Sequence, residues 1–337
     1  MKNKIALFLL LFAHFVSAQT LRKYSNEFMN IGVDAAALGM ANAVTATSNN
    51  VNAGYWNPAG LLHVEGKEIG LMHASYFANI AQYDYAGFAM PIDEKSAFAF
   101  SMIRFGVDDI LNTTQLIDAN GTIDYNRIRL FSAADYGFTF SYARKSPIEG
   151  LNYGVNTKII RRIIGNFANS WGLGFDVGAQ YRYKKWQLGV MLRDATTTYN
   201  AWTINERAFE DIRNAIPGQN QELPENTEIT LPKMQVGLAR SFDINDDYEL
   251  LTAFNANMRF TRTNDMISSE RLSIDPALGF QFSYVKMIYL RGGVGNFQNV
   301  QTINDNRSLT FQPNIGLGFY YKGIALDYAL TDIGDQS

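Results

Sequence analysis

Leu173-Gly174-Phe175-Asp176-Val177-Gly178-Ala179-Gln180-Tyr181-Arg182-Tyr183 decides the fold. Every second residue, from Leu173 to Tyr183, is apolar or aromatic, and the positions between hold Gly174, Asp176, Gly178, Gln180 and Arg182. A period of two is that of a β-strand, whose successive side chains point to opposite faces. A soluble sandwich would bury the large apolar face and cover the other with long polar side chains. Here the second face is rich in glycine. That is the division of a transmembrane β-barrel, apolar toward lipid and small or polar toward the lumen.

The pattern recurs on both sides of this stretch. Trp186, Leu188, Val190 and Leu192 follow it, and Tyr136, Phe138, Phe140 and Tyr142 precede it. Further on come Thr252 to Phe260, Leu278 to Tyr284, Ile315 to Tyr321 and Ile324 to Leu330, with mostly small, polar or charged residues at the alternate positions. Strands are expected at 66–76, 82–92, 95–105, 134–145, 150–163, 170–183, 185–194, 231–242, 247–260, 273–284, 286–296, 309–321 and 323–331. Tyr181, Tyr183, Trp186, Tyr284, Tyr320 and Tyr321 cluster near strand ends, where an interfacial girdle belongs. Short gaps such as Lys184-Lys185 and Lys322-Gly323 alternate with long ones at 106–133, 164–169, 195–230, 261–272 and 297–308. Outer-membrane barrels show this asymmetry of short periplasmic turns and long outer loops. The connection 77–81 is short where a long one is expected.

Thirteen strands is an odd count, and bacterial single-chain barrels have an even one. Either one strand is unread or the sequence stops before the last. The second is the expectation, with fourteen strands intended and a barrel domain at 65–337.

The composition agrees. The 337 residues include 45 aromatic ones and no cysteine, with 18% charged residues, 47% apolar residues and a formal net charge of −3. Disulfide scaffolds and cysteine metal sites are excluded, and 47% apolar content lies far from the disordered regime. Beyond residue 18 no apolar run approaches the ~20 residues of a membrane helix. The weak charge, with scattered basic residues, argues against nucleic acid as a partner. Residues 1–18 read as a secretory signal: Lys2 and Lys4, an apolar stretch from Ile5 to Val16, then Val16-Ser17-Ala18 before a cut at Gln19. Removing the two lysines takes the formal charge from −3 to −5.

Residues 19–64 do not alternate. Val33 to Val44 is alanine-rich and suits a short helix, with Asp34 near its start. A polar stretch, Thr45 to Asn52, leads to Tyr55-Trp56-Asn57-Pro58-Ala59-Gly60-Leu61. Taken alone, Asn57-Pro58-Ala59-Gly60 is a turn. Together with Gly32, Ala36 and Leu38-Gly39-Met40, ahead of a β-barrel, this run resembles the PorV/PorQ family of outer-membrane proteins. That family is itself similar to FadL-like transporters, whose N-terminal hatch carries an Asn-Pro-Ala-Gly element. Leu326 to Asp335 resembles the family's penultimate strand.

The resemblance implies a FadL-like barrel with a helical hatch at 19–64 in its lumen. It implies the outer membrane of a Gram-negative, Bacteroidetes-type bacterium, surrounded by outer-membrane lipid. It also implies type IX protein secretion or surface attachment, through binding of a translocon component or cargo signal domain by the outer loops. The alternative it carries is a FadL-like transporter that moves a hydrophobic small molecule past the hatch.

Nothing in the residues argues for an enzyme or a cofactor. His63 and His73 stand without a triad or metal-ligand spacing, and Gly292 to Gly295 lies on a strand, where it keeps the lumen face small or marks a bend. Lys158, Asp176, Arg182, Arg193, Arg259, Arg291 and Asp327 fall on the lumen parity. A lipid-facing Arg or Lys at mid-depth costs about 2–4 kcal/mol, so these residues point inward. They form either an ion-pair network that anchors the hatch or a polar conduit that binds an anionic group. The long connection 195–230 holds Trp202, Phe209 and Ile212, candidates for partner contact, with a short amphipathic helix expected over 203–215.

Overall fold

The computed structural model describes residues 25–117, 121–208, 226–301 and 307–331. The signal sequence lies outside them, as do Phe209, Ile212 and the last six residues.

Among the described residues, sixteen strands form a single antiparallel sheet. They are β1 (Glu68–Tyr76), β2 (Ala81–Asp93), β3 (Ser96–Asn112), β4 (Arg129–Lys145), β5 (Leu151–Ile164), β6 (Ala168–Tyr183), β7 (Trp186–Arg193) and β8 (Thr198–Ile204). Then come β9 (Thr227–Thr230), β10 (Lys233–Asp243), β11 (Tyr248–Arg259), β12 (Ile267–Ser268), β13 (Ser273–Tyr284), β14 (Ile288–Gln301), β15 (Arg307–Tyr321) and β16 (Ile324–Thr331). The main path runs β1 to β7, then β10, β11 and β13 to β16: thirteen neighbours, corresponding to the thirteen expected strands.

Register shows why the alternation holds. Directly opposed residues of an antiparallel ladder share a face. Gly178 faces Gly154, Asp176 faces Asn156 and Gly174 faces Lys158 on the inside, while Val177 faces Val155 on the outside. Outward Leu173 and Val177 are 50% and 47% exposed, against 1% for inward Asp176. A sheet that leaves its apolar face bare over so many strands is dressed for hydrocarbon, not water.

Three elements were not expected. β8 and β9 form a hairpin inside the 195–230 connection, and β12 lies inside 261–272. β8 exists because β6 extends beyond β7: Ala168 to Leu173 pair with Ile204 to Tyr199. Thr203 and Ile204, the start of the expected helix, are therefore strand. Strand β2 also departs from the rule. Its inward residues are Tyr83 and Tyr85, both buried, while Gln82 and Asp84 point outward. Asp84 meets His73 Nδ1 at 2.7 Å, with Arg104 at 3.7 Å.

The segment from Ser25 to Val64 packs against inner faces around the wall. It contains a 3-10 turn (Glu27–Asn30), helix α1 (Ala35–Gly39), helix α2 (Ala53–Trp56) and a second 3-10 turn (Pro58–His63). Helix α1 is shorter than the expected 33–44. Asp34 caps it by accepting from the Ala36 amide at 2.9 Å, and Ala41 and Asn42 end it with φ of 52° and 62°. The apolar core lies inside the barrel: Phe28, Met29, Val33, Met40, Tyr55 and Trp56 from this segment meet Tyr83, Tyr85, Ile103 and Ile160 from the wall.

Candidate functional site

Asn57, Pro58, Ala59 and Gly60 are all buried, against the inner face of β5 to β7. The Asn57 amide donates to the carbonyls of Thr45 and Ala179, both at 3.0 Å, and of Val190 at 3.3 Å; its Oδ1 accepts from the Ala59 amide at 3.2 Å. Wall glycines make this approach possible. A Cβ on Gly178 would lie 2.2 Å from Asn57 Oδ1, and one on Gly154 would lie 2.7 Å from the Pro58 carbonyl carbon. The expected glycine-rich lumen face is thus a trough for backbone. Gln180 adds bonds to the carbonyls of Thr45 (3.2 Å) and Ser48 (3.1 Å).

The seven lumen-parity charges all sit on the inner face. Lys158 lies between two carboxylates, 2.7 Å from Asp176 and 2.6 Å from Asp194, with all three buried. Thr198 Oγ1 donates to Asp194 at 2.6 Å, and the Asp194 amide donates to Asp176 at 2.8 Å. Arg193 donates to the Tyr55 carbonyl at 3.0 Å and lies over the Tyr55 ring, 4.5 Å from its centroid. Asn156 donates to the Gly54 carbonyl at 2.9 Å. These contacts tie α2 to the wall. Arg259 pairs with Asp265 (2.8 Å), and Arg291 pairs with Asp327. Arg182 is half-buried on β6; burial, followed by the charges of Arg182 and Lys145, lowers the pKa of the His63 imidazole to about 4.

The wall is dislocated beside this network. β7 stops at Arg193, paired with Lys233, and the ladder resumes at Thr198, paired with Thr230. The four residues 194–197 lie opposite only Leu231 and Pro232. Asp194 and Thr197 take φ of 53° and 63°, and proline has no N–H to give a ladder. Trp202, on β8, shares the inward parity of buried Asn200 and lies under Arg162, 5.2 Å from its ring centroid. It is therefore not displayed outward as a partner contact requires.

A cavity of about 310 Å³ opens at the long-connection side of the N-terminal segment. Tyr55, Trp56, Tyr76, Ile31 and Leu38 give it an apolar side; Arg193, Lys233, Arg259, Asp275 and Asn257 give it a polar one. Lys233 is engaged by Glu27 at 3.0 Å. Arg193 and Arg259 were expected on the inner face. Tyr76, Lys233 and Asp275 were not singled out, because nothing in the sequence shows strands so far apart converging here. A second cavity, about 160 Å³, lies toward the short turns, bounded by Asp34, Ala37, Met40, Trp56, Gln281 and Arg291 among others. Burial and the Asp327 carboxylate push the Asp34 carboxyl above its ordinary range.

No protein-family model matches the chain, and no curated protein matches it. Solved structures do. A FadL homologue of Pseudomonas aeruginosa aligns over 89% of both chains at 13% identity and a TM-score of 0.51. The CymD monoaromatic hydrocarbon channel aligns over 90% of this chain and 94% of its own, at 12% identity and TM-score 0.52. The P. putida toluene transporter TodX aligns over 89% and 91%, at 11% identity and TM-score 0.50. These findings carry the FadL side of the resemblance and not its PorV/PorQ side. At such identities the likeness is one of fold: the chain is a FadL-like antiparallel β-barrel.

Proposed function

We propose that this chain is an outer-membrane barrel that passes small hydrophobic molecules, with residues 19–64 as a plug in its lumen. One observation carries the reading. The outer cavity has the aromatic edge of Tyr55 and Trp56 on one side, and on another Arg193 and Lys233, the last paired residues before the wall dislocates. A hydrophobic solute thus meets an aromatic surface next to the interrupted β7–β10 ladder. The size fits: an apolar cavity of about 150 Å³ holds benzene, and pockets for larger ligands start near 300 Å³. The fold's likeness to hydrocarbon channels supports the same reading. Capture of a secretion partner by outer loops draws no such support, and Trp202 faces the lumen.

The test is entry of toluene into lipid vesicles that carry the purified protein. Uptake well above that of empty vesicles is expected, and it should fall when bulk is added to the outer cavity by Ala277→Phe. Uptake equal to that of empty vesicles would reject the transport reading.

A further inference from the structure

Two cavities, one on each side of the plug, share a wall. Trp56 borders both. Helix α1 and the turn after it do so too, with Leu38, Ala41 and Asn42 turned toward the outer cavity and Ala36, Ala37 and Met40 toward the inner one. Both cavities also touch the same stretch of barrel: Ala277 and Gln281 lie on β13, and Gly295 and Arg291 on β14. Between these two patches of wall, the Met40 backbone is seated against Gly279 and Gly293.

The plug is held unequally by the wall. On the β5–β7 side, Asn57, Gln180, Asn156 and Arg193 make buried hydrogen bonds between wall and plug. On the β13–β15 side the contact of α1 is steric. A Cβ on Gly39 would lie 2.9 Å from the Gly316 Cα, and Cβ atoms on Gly279 and Gly293 would run into Met40 backbone at 2.6 and 2.5 Å. Apart from Asp34 and Asn42, the stretch Val33 to Val44 carries no side chain able to hydrogen-bond the wall. Small residues in van der Waals contact part at lower cost than a set of buried polar bonds, each of which leaves a donor or acceptor unpaired.

Trp56 sits on the boundary between the two regimes. Its ring is buried, and its indole N–H donates to the Val33 carbonyl at 3.0 Å. It meets the Tyr55 ring edge-on, with centroids 4.9 Å apart. That single N–H bond spans from α2, which is fixed to the wall, to the residue that leads into α1.

We propose that the Trp56 indole is the removable partition between the outer and inner cavities, and that solute crosses the plug past the start of α1 once this ring swings aside. This rests on the transport reading for its solute, a small uncharged hydrocarbon, but not for its test. The ring's area sets the gap. Replacing it enlarges a passage that small polar solutes can also use.

The experiment is the osmotic swelling of vesicles carrying the full barrel, in arabinose. Wild-type vesicles should swell slowly, Trp56→Ala vesicles about tenfold faster, equivalent to lowering a barrier by about 1.4 kcal/mol. Trp56→Phe and Trp56→Leu should fall between them, in that order. Heat-modifiable migration on gels verifies that each barrel is folded. If Trp56→Ala does not fold, the Leu variant decides. Folded Ala or Leu variants that swell no faster than wild type would overturn the partition. No hydrocarbon enters this assay, so a failure of toluene entry counts against the transport reading alone.

Discussion

The side-chain amide of Asn57 donates to the main-chain carbonyl of Ala179, 3.0 Å away and 122 positions along the chain. The same nitrogen reaches Val190 on the next strand, opposite Ala179 in the ladder. One buried side chain therefore fixes the plug to two wall strands through acceptors that no side-chain change can remove.

Asn57→Ala should loosen the plug without dissolving the barrel. It strips partners from buried carbonyls and uncaps the turn at Pro58, and a buried group left unsatisfied costs about 1–3 kcal/mol. The expected result is faster proteolysis within residues 25–64 of the folded protein in detergent, with the strand region still resistant. Identical cleavage rates in variant and wild type would count against the anchoring role.

How much of this was legible beforehand depends on whether a residue's partners are near in sequence. The thirteen strands were legible, because Leu173 to Tyr183 and its counterparts carry the two-residue period themselves. Strand β8 was not, because Thr198 to Ile204 becomes strand only by pairing with the extension of β6. On β2 the aromatic residues Tyr83 and Tyr85 resemble lipid-facing ones, yet they are buried against the plug. Gly87 and Ala89 on the same parity, against Phe88 and Met90 on the other, were the available clue. Asn57-Pro58-Ala59-Gly60 was marked by its turn chemistry, but its acceptors are backbone and have no signature in the sequence. Lys158 and Asp176 were marked by the cost of a charge in lipid. Asp194, the second carboxylate on Lys158, ends the expected strand 185–194 on the parity of Leu192 and reaches Lys158 only because the chain turns at the dislocation.

Lys158→Met should be among the most damaging single changes in the wall. It leaves Asp176 and Asp194 buried side by side without their cation, and removing one partner of a buried ion pair costs about 3–5 kcal/mol. Adding Asp176→Asn and Asp194→Asn to the same chain removes the stranded charges and should recover most of the loss. Thermal unfolding in detergent, followed by loss of the heat-modifiable band, measures all three proteins. A triple variant no more stable than Lys158→Met would show that the cluster does not act through charge.

Docking of the plug should weaken in mild acid because of His63. Burial, with Arg182 and Lys145 nearby, holds its pKa at about 4, below the ~6.5 of a free imidazole. Between those two values the unfolded chain binds a proton that the folded one refuses, so the folded state loses ground as pH falls. The contribution is complete above about pH 6.5 and is lost by about pH 4. His63 is partly exposed, so solvent screening brings the effect to about 1–2 kcal/mol. Urea midpoints of wild type and His63→Gln, taken at pH 7.5 and pH 5, isolate it: the wild-type midpoint should fall further than that of the glutamine variant. Salt should shrink the difference only in part, because it screens Arg182 and Lys145 but does not rehydrate the ring. Equal shifts in the two proteins would remove His63 as the cause.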